Sequence, residues 1–346
     1  VDNGSFCVKS LFLKKKMLNF SIIIPVFNRP DEVAELLDSL VLQTYKQFEV
    51  IVVEDGSSVT CKNVVDSFNN KLKINYIFKE NTGPGTTRNI GAKNAKGDYL
   101  VFFDSDCIIP PRYLEEVNSQ LDVRYTDAYG GPDCAHPSFT PLQKAINYSM
   151  TSFLTTGGIR GGKKKLDTFY PRSFNMGYSQ KVFEKTQGFS AMRFGEDIDM
   201  SIRIISGGFS TQLIEKGFVY HKRRTDFKKF FKQVFNSGIA RINLFIKYPV
   251  SLKFVHLMPA VFTIGCICCL LFCLLSAIFL IPFFIYAFAI WLDSSLKNKS
   301  TYIGLLSIPA SYIQLIGYGL GFLQAFWKRI VLKEGEFKAF DKNFYK

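Results

Sequence analysis

From Leu257 to Leu292 the chain carries no Asp, Glu, Lys, Arg or His. At ~1.5 Å per helical residue such a run exceeds one ~30 Å hydrocarbon crossing, so part of this chain must be embedded in a membrane. The following stretch, 301–327, is weakly polar. Its Gly and Ser content fits either a further crossing or a helix lying in the interface. A hairpin broken near Pro282 with two crossings keeps the Lys-rich tail (328–346) on the starting side. A third crossing would send it across, against the tendency of cationic segments to stay cytoplasmic.

The net charge of +14 allows nucleic acid, anionic lipid or solubility as explanations. Position narrows the choice. Ten Lys or Arg and the single acid Asp226 lie between Lys216 and Lys253, immediately before the apolar run, as expected of a cytoplasmic juxtamembrane segment. No RNA-binding aromatic motif or zinc-finger spacing accompanies the charge, and we expect no nucleic-acid partner. Four of the eight cysteines (Cys266, Cys268, Cys269, Cys273) sit inside the apolar run, where a disulfide framework has no purpose. They read as small packing residues in a reducing compartment. Residues 1–16 contain no signal-peptide pattern and are expected to be an extension without a role in the fold.

From residue 20 the order is strand, helix, strand, helix, strand. "FSIIIPV" and "FEVIVVED" are β-branched runs too continuous to have a wet face, as in a parallel sheet covered on both sides. Between them, Pro30 and two acids open a helix with Val33, Leu36, Leu37 and Leu40 on one face. "KINYIFK" and "DYLVFFD" supply further strands around a Gly-interrupted segment that turns helical. In such sheets ligands gather at the carboxyl ends of the strands. Asn28, Asp55 and Asp104 all fall there.

"NTGPGTTRN" (81–89) is neither a Walker A loop nor a G-x-G-x-x-G turn. It still offers Arg88 near a helix start, either as an anion partner or as an ordinary loop-to-helix junction. In "FFDSDC" two acids stand one residue apart. If the chain stays extended, Asp104 and Asp106 face one side, and a hard divalent cation would relieve their repulsion. Alternatively, Asp-Ser-Asp is a turn ahead of the helix that opens at Pro110 and Pro111. A third cluster, Glu196, Asp197 and Asp199, occupies the first turn of a helix. It suits the helix dipole and an Asp199 to Arg203 pair, or chemistry at a cation site.

Taken together, "IPVFN", "VVEDGS", "GPGTTRNIGAKNAKGDYLVFFDSD", "FNMGYSQKVFEKTQGFSAMRFGEDIDMSIR" and "VYHKR" resemble, in order and spacing, the inverting family 2 glycosyltransferases with a GT-A fold. The likeness covers about residues 20–225. It implies an α/β, Rossmann-like, mostly parallel sheet domain (17–225). A basic juxtamembrane segment (226–254), transmembrane or interfacial helices (255–328) and a basic tail (329–346) follow. By the same resemblance, Pro25, Val26, Asn28, Asp55, Arg88 and Asp104 serve the nucleotide donor. Asp104 and Asp106 form a D-x-D site for Mg²⁺ or Mn²⁺ that His221 can complete. Asn175 and Met176 form the sugar and acceptor wall, and Asp197, with Glu196 beside it, is the catalytic base.

Processive members carry Gln-x-x-Arg-Trp, whereas this chain reads "KQVFNSGIARINL", which points to a single transfer. The expected partners are a UDP-linked sugar and a lipid-linked (polyprenyl) saccharide, at the cytoplasmic face of a multi-pass membrane protein. Transfer to polyprenyl phosphate, a non-catalytic nucleotide-sugar-binding subunit and a nucleotidyltransferase are the alternatives. "TTGGIRGGKKK" (155–165) is expected to be either a lid over the donor or a solvent loop.

Overall fold

The computed structural model describes residues 17–157, 169–192 and 194–335, so the 1–16 extension and most of the expected lid lie outside the described residues. Ten strands are present among them: β1 (Phe20–Val26), β2 (Phe48–Asp55), β3 (Ile74–Lys79), β4 (Tyr99–Phe103), β5 (Cys107–Ile108), β6 (Ala128–Gly130), β7 (Asp133–Cys134), β8 (Asn175–Ser179), β9 (Thr211–Leu213) and β10 (Val219–His221). The domain helices are α1 (Pro30–Val41), α2 (Lys62–Ser67), α3 (Pro84–Lys93), α4 (Tyr113–Val123), α5 (Pro141–Thr151), α6 (Phe153–Thr156), α7 (Gln180–Thr186) and α8 (Glu196–Ser206). Beyond them lie α9 (Phe227–Lys247), α10 (Met258–Phe272), α11 (Ile281–Asn298) and α12 (Thr301–Phe326).

The main sheet runs β3-β2-β1-β4-β8-β6-β9. Its first four strands are parallel, while β8 runs antiparallel to both β4 and β6. Both faces are covered, as the continuous apolar runs require. Ile22, Ile24, Val50, Val52 and Val101 face α1, α2 and α4, whereas Ile23, Ile51, Val53, Leu100 and Phe102 face α3, α7 and α8. A second sheet, β5-β10-β7, folds over the carboxyl edge and sets His221 opposite Cys107.

α9 is capped by Asp226, whose carboxylate accepts from the Lys229 amide at 2.7 Å. Its apolar side packs on α12, where Gly317 and Gly321 meet Val234 and Phe235, and on another side Gly319 and Gly304 meet Pro259 of α10 and Trp291 of α11. The small residues that left the 301–327 stretch open to two readings thus let α12 approach helices on several sides. Three segments, Phe254–Phe272, Ala277–Asn298 and Thr301–Val331, are long and apolar enough to cross a membrane. The α10–α11 turn falls at Cys273–Leu280, ahead of the expected break, because Pro282 suits a first helical turn better than a bend. Leu274 and Leu275 at its tip are 84% and 80% exposed, surface that only lipid or a partner would cover.

A Cβ at Gly238 of α9 would collide with the Tyr318 carbonyl and the Phe322 amide of α12. Gly238→Val is therefore expected to cost about 1–3 kcal/mol through overpacking and to lower the thermal unfolding temperature in detergent. An unchanged melting temperature would contradict the α9–α12 contact.

Candidate functional site

The carboxyl edge of the sheet is organised by Arg88. Pro84 starts α3 directly after Gly83, which has a φ of +91°, and one turn later Arg88 points under the sheet edge, 3% exposed. Its Nη2 donates to Asp104 Oδ1 at 2.6 Å and its Nη1 to Glu196 Oε1 at 3.2 Å, while its face lies over Phe189. One buried cation thus ties β4 to the first turn of α8. Asp55 holds the loop that delivers it, accepting from the Thr82 and Gly83 amides at 2.9 Å each and from Lys79. Asn28, at a φ of +54°, fixes the end of β1 to the next loop by accepting from the Val59 amide at 3.0 Å. Pro25 is half-buried and Val26 buried beside it.

Residues 104–107 form a turn, with the Cys107 amide donating to the Asp104 carbonyl at 3.1 Å. The alternation of an extended chain therefore does not apply, and the two acids part company. Asp104 goes to Arg88, whereas Asp106 accepts from Arg29 Nη1 at 3.0 Å and lies 3.1 Å from His221 Nε2. Burial would raise the Asp106 carboxyl, but His221 and Arg29 outweigh it and hold it well below the usual carboxylate range. Ligand atoms of Asp106, Cys107 and His221 all lie within 4.8 Å of one another. His221 Nδ1 is buried without a hydrogen-bond partner among the described residues, an arrangement that a cation would complete. The structure thus groups Asp106 and His221 with Cys107, and Asp104 stands outside that cluster. Cys107 escaped sequence reading because its partner strand β10 is more than a hundred residues away.

Across the cleft, Asp197 Oδ2 accepts from Arg172 Nε at 2.7 Å and its Oδ1 from the Ile198 amide at 2.8 Å. Burial opposes ionisation here too, but Arg172 and the amide keep the carboxyl below its ordinary value. Glu196 goes the other way: burial first, then the charge of Asp197, push it up to about 7. Asp199, fully buried, faces away from the cleft and accepts from Lys247 at 2.6 Å, Tyr248 at 2.9 Å and Arg203 at 2.8 Å. The expected Asp199–Arg203 pair is present. The two partners from the end of α9 carry no local sequence signal.

Asn175 and Met176 are corrected. Both are fully buried in β8, a central strand, and neither lines the cleft. Asn175 donates to the Gly217 carbonyl at 2.8 Å and accepts from Tyr113 at 2.6 Å. The wall is made instead by Arg172, Ser173 and Phe174, the irregular segment just before β8.

Asp104, Arg172, Glu196, Asp197 and His221 open into one cavity of about 1290 Å³. Asp104, Glu196, Asp197 and His221 line one end; Phe262, Tyr286, Leu315 and Tyr318 of α10, α11 and α12 line the other. Thr155, Thr156 and Gly157, the described start of the expected lid, are on its rim.

Residues 21–187 match the family model for glycosyl transferase family 2. This segment is a family 2 glycosyltransferase domain. An uncharacterized glycosyltransferase of Rickettsia bellii is 40% identical over 199 residues, 56% of this chain and 28% of the relative. The poly(ribitol-phosphate) beta-N-acetylglucosaminyltransferase TarS of Staphylococcus aureus is 35% identical over 115 residues, 32% of this chain and 20% of TarS. Among solved structures, the mannosyltransferase PcManGT of Pyrobaculum calidifontis, in complex with GDP-Man and Mn²⁺, superposes with a TM-score of 0.63. That match covers 91% of this chain and 88% of PcManGT at 14% identity, and shows a shared GT-A fold. The chain spans between 15 and 35% of the length of the curated relatives it matches. The family match ends before α8, so Glu196 and Asp197 rest on geometry.

Because folded Glu196 keeps its proton up to about 7, while the unfolded side chain loses it near the ordinary 4.5, folding binds a proton in between. Stability from this group is fully present below that lower value and falls as pH rises through the upper one. Glu196→Gln cannot ionise, so its melting temperature should gain on the wild type between pH 5 and about 7. Parallel pH profiles would refute the shift.

Proposed function

We propose that this chain is a membrane-anchored, inverting glycosyltransferase that moves a single sugar from a nucleotide-sugar donor to a lipid-linked saccharide. The observation carrying this reading is the continuity of the cavity from Asp104, Glu196 and Asp197 to the aromatic residues of the apolar helices. A soluble acceptor needs no such path. An amphiphile does, because its tail must stay among apolar groups while its head reaches the acids.

Asp197 is the base. Held ionised by Arg172, it takes the proton of the acceptor hydroxyl as that oxygen attacks the anomeric carbon from the face opposite the leaving diphosphate, which inverts the configuration. Arg88 fixes Asp104 and Glu196 so that donor and base ends keep their spacing, and its charge offsets part of the negative edge. Asp106 and His221, with Asp104 close by, would hold a divalent cation whose Lewis acidity supports loss of the nucleoside diphosphate. Arg29 and Arg224, both on the cavity wall, face the same side and favour phosphate. The α10–α11 hairpin anchors the domain, with the basic stretch up to Lys253 at the anionic cytoplasmic surface.

Asp197→Asn is expected to lower transfer by roughly 10²–10⁴ while leaving Mn²⁺-dependent binding of the nucleotide sugar within a few-fold. The measurement is single-turnover transfer to a lipid-linked saccharide, run beside polyprenyl phosphate, with UDP- and GDP-sugars as donors. Wild-type rates in the variant would remove Asp197 from the mechanism. Preference for polyprenyl phosphate would reassign the acceptor.

A further inference from the structure

α9 lies flat on the catalytic domain. It follows β10, its Ala240 and Leu244 pack on Gly195, and Lys247 and Tyr248 at its far end donate to Asp199. α12 runs parallel to it. Gly317 sits against Phe231 and Val234, Gly321 against Phe235, and Phe322 shares an apolar cluster with Ile242. Ala310 packs in the same way with Ile146 and Met150 of α5. Were α12 to cross a bilayer, α9 would be carried in with it, and the exposed Lys228, Lys229 and Lys232 would enter hydrocarbon. The apolar length of α12 allows a crossing; its place on the domain does not.

α10 and α11 leave this layer over a short distance. Thr263 of α10 is still beside Gly319 of α12. On α11 the Phe283 carbonyl accepts from Tyr312 at 3.0 Å, and Tyr286 donates to the Leu154 carbonyl of α6 at 3.2 Å. From Thr263 to Leu274 the chain rises about 16 Å at ~1.5 Å per helical residue, roughly half of a ~30 Å hydrocarbon core. The part that stands out is apolar on its outside, with Ile264, Ile267, Leu271, Leu274, Ile278 and Phe284 exposed. Its turn, Cys273–Leu280, carries no charge, and its N–H groups are paired from within. Cys273, Leu274, Leu275 and Ser276 donate to carbonyls of the last turn of α10, Phe279 to the Ser276 carbonyl, and Ile278 to the Ser276 hydroxyl at 3.4 Å. A turn in water on the far side would need neither trait. Hydrocarbon demands both, because it offers nothing to an unpaired backbone group.

We infer that the chain enters its membrane from one side only: the α10–α11 hairpin dips into the near leaflet and turns back, and α12 lies in the interface along α9. This rests on the membrane anchoring proposed above and adds its topology. The catalytic domain and Gly335, just past the end of α12, stay on the same side. Tyr286 and Tyr318, which line the cavity, then lie at headgroup depth, where aromatic side chains with a polar tip are favoured.

The test uses the full chain in sealed vesicles of phosphatidylcholine and phosphatidylglycerol with the domains facing outward. Leu275→Trp is expected to lose more fluorescence to phosphatidylcholine brominated near the acyl-chain ends than to lipid brominated near the headgroup, over the background of Trp291 and Trp327. Greatest loss to the headgroup-proximal bromines, or no loss beyond wild type, would overturn the insertion. Gly335→Cys should gain one label from an impermeant maleimide added outside, and Leu275→Cys none from either side until detergent is added. Label on Leu275→Cys before detergent, or on Gly335→Cys from the lumen alone, would overturn the topology. Since neither donor nor acceptor is present, failure here leaves the role of Asp197 standing, and failure of the Asp197→Asn assay leaves these readouts interpretable.

Discussion

A single buried guanidinium sets the geometry of the site. Arg88 meets Asp104 at the end of β4 and Glu196 at the start of α8, two elements far apart in the sequence. Burying a cation is tolerable only when its partners are in place, and removing one partner of a buried pair typically costs about 3–5 kcal/mol. The pairing is also incomplete on the acidic side. Asp104, Glu196 and Asp197 crowd one guanidinium, and although Arg172 relieves Asp197, Glu196 is left with a raised pKa. Burial and the neighbouring Asp197 thus keep on Glu196 a proton that the nearby guanidinium groups do not displace.

The same helix that presents Asp197 is bolted to the membrane-proximal part of the chain. Asp199, two residues on, has its carboxylate filled by Lys247 and Tyr248 at the end of α9. Gly195, just before the acids, sits against Leu244 and Ala240 of α9, close enough that only a small residue fits comfortably. On the other side Tyr148 of α5 donates to Asp293 of α11 at 2.5 Å, which Lys297 also reaches. The position of Asp197 relative to the apolar helices is therefore fixed by charged and polar contacts as well as by apolar packing. Under the proposed reading, an amphiphilic substrate entering between those helices would meet the acids at a defined depth.

How much of this could be read from residue order depended on whether the information was local. The parallel strands, α1, the α8 acids and the uncharged run were legible because each is written in a short window as periodicity, capping or the absence of charge. Asp104 was legible as a strand-end residue and Arg88 as a residue near a helix start, though not their mutual contact. For Asp104 and Asp106 the residue order left an extended chain and a turn open, and the turn that forms sends the two acids to different partners. Asn175 looked like a wall residue, but its strand lies between β4 and β6, and only the sheet order reveals that it is interior. Glu54 likewise faces the core, where it accepts from Cys61 and Tyr76, while its neighbour Asp55 serves the loop before α3. Arg172, Cys107, Lys247 and Tyr248 owe their places to pairings across long sequence separations, which no window contains.

The polarity of the cavity links these pieces. Asp104, Asp133, Glu196 and Asp197 on its wall alternate with Arg29, Arg172, Arg223 and Arg224, while α10, α11 and α12 add the aromatic side chains Phe262, Tyr286 and Tyr318. Under the proposed reading both substrates bring phosphate, so charge alone would let either occupy either end. A divalent cation held by Asp106 and His221 would invert the sign there and make that end suited to the donor diphosphate. Arg172, paired with Asp197 and bearing on His256, stands at the boundary between the two.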